Sequence, residues 1–212
     1  MQTEIIKVKG QPDEIFKIGF THRGPIVSSK IVGGAAVLFG GAVPELNGEQ
    51  KFSFGWGLGQ VGDDNFNMLR YFIKNKDKTL LDLPTFLKDT GNFVGVGMNL
   101  ALADVAGNIA YAELSPVPKR KNQTPFIGSR VLDGTTTEFD WAGWVAAIDL
   151  PYSVNPEKGY IVTANNRQTP DNAMHDYGAG QMSTGRAQRI DEAIRHLIDS
   201  GKKLTLKDVG DI

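Results

Sequence analysis

The clearest regularity along the chain is the alternation over residues 94–103, VGVGMNLALA. Val94, Val96, Met98, Leu100 and Leu102 fall on one face; Gly95, Gly97, Asn99, Ala101 and Ala103 fall on the other. A period of two is that of a β-strand, and the large face is expected to fill a core. Asp104 to Asn108 supplies turn residues, so Ile109 to Leu114 is predicted to return as the partner strand of a hairpin. Ile5 to Val8 and Glu14 to Phe20 also read as strands, separated by Gly10 and Pro12. Thr21-His22-Arg23-Gly24-Pro25 punctuates the run, and Ile26 to Val43 continues as apolar strands interrupted by glycine. After a basic run at Lys119-Arg120-Lys121 and loop-rich sequence to about residue 138, Trp141 and Trp144 precede a turn at 155–159. Tyr160 to Ala164 then reads as strand-like, ending in Asn165-Asn166-Arg167.

Helical spacing takes over in four places. A helix is predicted to start after Asp63 or Asp64, both good caps, with Phe66, Leu69, Phe72 and Ile73 facing inward and Asn67, Arg70 and Lys74 facing solvent. A short second helix carries Pro84 in its first turn and ends near Lys88. The strongest helix covers Arg186 to Asp199, with Ala187, Ile190, Ala193, Ile194 and Leu197 as one stripe, Thr184 as cap and Gly201 as stop. Thr205 with Asp208 three residues on resembles a capping box, and Leu206 and Val209 begin a further stripe. The chain stops at Ile212, about two turns in, shorter than an isolated helix sustains, so truncation at the C-terminus is expected.

Composition adds exclusions rather than an identity. The 212 residues hold 25 Gly and 10 Pro, about one residue in six against a usual one in eight, which favours many turns and strands. Twenty-three Lys and Arg balance 24 Asp and Glu for a formal charge of -1, so no general attraction to nucleic acid is implied. Without cysteine there is no thiol nucleophile, disulfide, iron–sulfur cluster or thiolate zinc site, and the compartment stays open. The longest apolar run, Ile31 to Val43, is too short to span a bilayer. No linker or repeat divides the chain, so residues 1–212 are expected to form a single domain.

Candidate chemistry centres on Asn99. A carboxamide carries two N–H donors, and on a strand face of glycine and alanine it has room for a ligand beside it. Such a donor suits a carbonyl oxygen on which negative charge grows during acyl transfer; the alternative is an asparagine that only satisfies its neighbours. Arg120 presents a planar fork of donors that stays charged, and serves either to orient such a site or as a solvated charge between two lysines. Asp104 is either a turn former, the commoner role, or a calcium ligand. His22, His175 and His196 fit no metal spacing, and no Gly-x-Ser-x-Gly elbow or phosphate-cradling loop is present. Read alone, these patterns reach a strand-rich α+β chain with one unusually placed asparagine.

The order of motifs resembles the penicillin acylase family of N-terminal-nucleophile hydrolases, in the middle of its catalytic β chain. The landmarks are Thr21-His22 with Gly24-Pro25; Asn99 with Ala103-Asp104 and Gly107-Asn108-Ile109; and Pro118-Lys119-Arg120. They continue with Asp140-Trp141-Ala142-Gly143, Asn155-Pro156 with Gly159-Tyr160-Ile161, Ala164-Asn165-Asn166, and Gly185-Arg186-Ala187-Gln188-Arg189-Ile190. The resemblance implies part of a four-layer αββα fold, strand-rich with a few helices, and hydrolysis of the amide bond of acyl amides such as penicillins and acyl-homoserine lactones. It implies a serine nucleophile at the start of the β chain, with its own α-amino group as base. It puts Asn99 in the oxyanion hole and Arg120 near the active site. Some members bind calcium, but the resemblance places no calcium ligand in this chain and implies no other cofactor. The nucleophile, the α chain and the remaining β-chain segments have no counterpart here, so they are the expected partners and the chain alone is expected to be inactive. The alternative is a non-catalytic remnant that binds acyl amides or protein.

Overall fold

The hairpin is the centre of one of two compact units into which the described elements fall. The structure is a computed structural model, describing residues 1–27, 51–55, 62, 64–75, 77–122, 124, 128, 130–169, 173, 175, 185–201 and 203–212. The run Ile31 to Val43 and the Thr184 cap lie outside the described residues.

In the unit that holds Asn99, strands β6 (Met98–Ala103), β7 (Ile109–Leu114) and β10 (Tyr152–Val154) form an antiparallel sheet in the order β10-β7-β6. The turn is the expected one, closed by the Asp104 N–H donating to Asn108 O at 3.0 Å. The core sits on the middle strand: Ala110, Tyr111, Ala112 and Leu114 are all buried. Ala110 and Ala112 on one face and Tyr111 on the other are buried, so this strand is covered on both faces. β6 is the outer strand, and this corrects the expectation that its large face fills a core. Leu100 and Leu102 are half-buried, while Val96 and Met98 are exposed, because one flank of an outer strand faces solvent.

Helix α1 (Asp64–Lys74) forms where expected but is rotated about its axis. Phe66 and Ile73, predicted inward, are 67% and 74% exposed, whereas Met68 is fully buried. Tyr71 and Phe72 reach Phe86 on α2 (Leu83–Thr90) with ring centroids 5.0 and 6.1 Å apart. The sequence carries two overlapping apolar stripes, and tertiary anchoring chooses between them. The Asp64 carboxylate accepts the Val94 N–H at 2.7 Å, and the Asp64 N–H donates to Val94 O at 3.1 Å. α2 follows a 3₁₀ turn (Leu80–Asp82) whose Thr79 and Asp82 form a capping box, and it ends at Gly91, where φ is +70°. Leu83 and Leu87 bury its inner face, and Gly91 O accepts the Ala147 N–H at 2.6 Å. Helix α3 (Gly185–Asp199) buries Ala187 and Ile194 of its expected stripe. Helix α4 (Leu206–Gly210) has the expected Thr205–Asp208 capping box.

The second unit collects β1 (Gln2–Ile6), β2 (Glu14–Ile18), β3 (Phe20–Thr21), β4 (Gly24–Val27), β5 (Phe52–Ser53), β8 (Pro118–Arg120) and β9 (Trp141–Trp144). β1 pairs with β2, β4 lies between β3 and β5, and β8 pairs with β9 across a bulge. Gly24 has φ +141°, and a Cβ there would stand 2.1 Å from the carbonyl oxygen of Phe54, so only glycine lets β4 approach β5. Lys119 and Arg120 of the basic run lie in strand β8 and are half-buried.

Candidate active site

Asn99 lies on β6 on the face it shares with Ala101 and Ala103, and its register partner on β7 is Glu113. Tyr111, the partner of Ala101, stands two residues from Glu113 on the same face. Its hydroxyl donates to Asn99 Oδ1 at 2.6 Å. This bond takes up the carboxamide oxygen and turns the Nδ2 group, with its two donors, away from Tyr111. Asn99 itself is exposed, so these donors stand at the surface of the sheet.

The environment changes sharply over the width of one strand pair. Burial pushes the Tyr111 hydroxyl far above its ordinary range, with the Glu113 charge adding to the effect, so the phenol stays a donor. Burial alone raises Glu113 to about 7. A carboxyl in the middle strand of a sheet breaks the apolar pattern, and that breach was legible in the sequence.

The turn below the pair is held by Asp104. Its carboxylate accepts N–H donors from Ala106, Asn108 and Leu80 at 2.8–3.0 Å, and from the Asn108 side chain at 2.9 Å. These donors, the Leu80 backbone first, hold the Asp104 carboxyl below the ordinary carboxylate range. A carboxylate surrounded by N–H groups does not fit a calcium ligand, since a cation would face those same hydrogens. Asp104 is a turn former.

Arg120 ends β8, opposite Trp141, in the other compact unit. Next in sequence to its strand partner Trp141 lies a polar hub around Asp140. Arg23 Nε donates to Asp140 Oδ1 at 2.8 Å, His22 Nε2 lies 3.0 Å from the same oxygen, and Arg23 Nη1 donates to Gly134 O at 2.8 Å. His22 first, then Arg23, holds Asp140 below the ordinary carboxylate range. His22 and Arg23 of the Thr21–Pro25 motif thus bind the hairpin to the 134–140 loop.

A second carboxamide, Asn165, stands in the sequence as a family landmark but not as a candidate site residue. Residues 160–164 form no strand; the segment is hung on α3 instead. The Tyr160 hydroxyl donates to Asp191 at 2.9 Å, and Lys158 sits 4.7 Å from the Tyr160 ring centroid. At Asn165 the backbone turns left-handed, φ +62°, and Arg186 Nη1 donates to Asn165 Oδ1 at 3.3 Å. The Ala164 N–H is taken by Asn166 Oδ1 at 3.0 Å, which removes it from any ladder. The available signal was the pair of asparagines, the residue type that best tolerates this conformation after glycine.

Three comparisons bear on this geometry. The family model described as penicillin amidase matches residues 1–212. The chain is 27% identical over 166 residues to a penicillin acylase 2 proenzyme of Pseudomonas sp. (strain SE83), covering 78% of this chain and 18% of that protein. It is 30% identical over 107 residues to the acyl-homoserine lactone acylase QuiP of Pseudomonas fluorescens (strain Pf0-1), covering 50% of this chain and 12% of that protein. Its fold is similar to that of a thermostable penicillin G acylase from Alcaligenes faecalis, an N-terminal-nucleophile hydrolase, with a TM-score of 0.57 at 19% identity over 98% of this chain and 32% of that one. The chain therefore spans less than a third of each of these relatives. No helix among the described residues is long and apolar enough to cross a membrane. With its whole length matched by one family model, this chain belongs to the penicillin amidase family.

Proposed function

We propose that this chain supplies the electrostatic half of an acyl-amide hydrolase, acting on a penicillin-like or acyl-homoserine-lactone-like substrate, with the nucleophile provided by polypeptide outside these 212 residues. The names of its curated relatives support that substrate class. The single observation that carries the reading is the Tyr111 bond to Asn99 Oδ1, which orients the carboxamide with its Nδ2 donors away from Tyr111 on an exposed residue. As the nucleophile attacks, negative charge gathers on the carbonyl oxygen, and a prearranged N–H donor stabilises it without reorganising. The family resemblance also gives Arg120, on β8, a place near the active site, and its planar fork of permanently charged donors suits that role; Arg120→Ala in the assay below tests it. The chain without its missing segments does not turn over.

A chromogenic phenylacetyl amide tests this. The 212-residue chain alone is expected to show no turnover. Supplied with the α-chain and β-chain segments its relatives possess, it is expected to hydrolyse the amide, and Asn99→Ala then lowers kcat by about 10²–10³-fold. Equal activity of the variant refutes the assigned role; binding of the amide in calorimetry with no cleavage after complementation favours a non-catalytic module. A second reading rests on its own observation, the left-handed backbone at Asn165 with its carbonyl held by Arg186. Backbone strain of this kind collects at functional sites. If Asn165→Ala carries the large loss and Asn99→Ala does not, Asn165 is the oxyanion donor.

A further inference from the structure

We propose that Glu113 is a positioning residue for Asn99: protonated, it leaves the Asn99 N–H donors turned outward, and ionised, it takes one of them for itself. The inference rests on the reading of Asn99 as the donor. Register places the two residues directly opposite each other on one face, where Cβ atoms are about 4.5–5.5 Å apart. Glu113 is half-buried between the buried Ala112 and Leu114, and its carboxyl has no hydrogen-bond or ion-pair partner among the described residues. The groups that share its face are few. β6 offers Asn99, Ala101 and Ala103; β10 offers Ser153, opposite Tyr111; β7 itself offers Tyr111 and Ile109. No charged side chain comes from either neighbouring strand, and Tyr111, the one other titratable group, has its hydroxyl committed to Asn99 Oδ1.

A carboxylate accepts hydrogen bonds only, whereas a carboxylic acid also donates one. An ionised Glu113 in this setting needs a donor, and the Nδ2 group across the strand pair can turn to provide it. A protonated Glu113 makes no such demand and leaves Asn99 Oδ1 to Tyr111. The pull of burial, with no charged neighbour opposing it, puts this exchange in the neutral range. Withdrawal of the amide at alkaline pH follows from the same contacts that orient it at lower pH.

The test is side-chain NMR on the full 212-residue chain between about pH 5.5 and about pH 8.5. The ¹⁵N resonance of the Asn99 amide, assigned by its loss in Asn99→Ala, is expected to move with a midpoint near 7 and to stay still in Glu113→Gln. The ¹³C carboxyl resonance of Glu113 in the wild type is expected to share that midpoint, a measurement that needs no variant to fold. A flat Asn99 profile, or two separate midpoints, overturns the proposal. Should the titration stand while Asn99→Ala keeps full turnover in the complemented enzyme, the oxyanion role fails and the coupling of Glu113 to Asn99 survives, so the two failures are told apart.

Discussion

Glu113 weakens the native state in a way that depends on pH. In the unfolded chain its carboxyl ionises near 4.5; in the sheet, burial delays this to about 7. Between those values the folded protein binds a proton that the unfolded chain has lost, so stability falls as pH rises through the interval and then levels. The accumulated loss is on the order of 3 kcal/mol. Urea unfolding at about pH 4.5 and about pH 8 is expected to show the wild type losing that much more stability than Glu113→Gln; parallel losses in the two proteins would place the carboxyl in water. The polar face of β6 was legible from the alternation, which singled out Asn99. The burial of Glu113 was not, because it depends on β10 and on the cover over the sheet, which come from distant sequence.

At the scale of elements, local chemistry and packing divide the work. Capping boxes at Thr79–Asp82 and Thr205–Asp208 and stops at Gly91 and Gly201, where φ is +70° and +71°, act over four or five residues and need no tertiary help to be read. The rotation of α1 is another matter. Two stripes compete on it, and the anchoring of Asp64 to Val94 selects the one containing Met68. α2 shows how firmly the inner face is packed once selected: Leu87 is 1% exposed. Leu87→Ala is expected to cost about 2–5 kcal/mol, the transfer loss plus the cavity left behind, as read by denaturant midpoint. A loss below about 1 kcal/mol would mean that the neighbouring groups collapse into the space.

For the whole molecule, the two compact units put different demands on the chain. The unit holding β8 and β9 is tied by Asp140, which His22 and Arg23 grip from the hairpin at Thr21–Pro25. Because these partners lower the Asp140 pKa in the folded state, the contribution is present above the ordinary carboxylate range and fades as pH falls through the lowered value. Acid titration followed by tryptophan fluorescence, with Trp141 adjacent in sequence, is expected to show Asp140→Asn opening this unit at higher pH than the wild type. Coincident acid transitions would assign Asp140 no more than a local turn role. The family match covers both units without interruption, from residue 1 to 212, so the same ancestry accounts for the sheet that carries Asn99 and the strand that carries Arg120.

What the amino-acid order settled without help was the set of features governed by neighbours a few residues away: the β6–β7 hairpin, the Thr205–Asp208 cap, the stop at Gly201, the turn at Asp104 and, through the succession of motifs, membership of the family. Tertiary structure alone decided which strand became the centre of the sheet, which stripe of α1 turned inward, that Lys119 and Arg120 entered a strand, and that Arg186 reached Asn165 across 21 residues. The division has one physical origin. Caps and turns are satisfied by hydrogen bonds within a single loop of chain, whereas burial and cross-strand pairing are set by segments that meet only after the chain has folded.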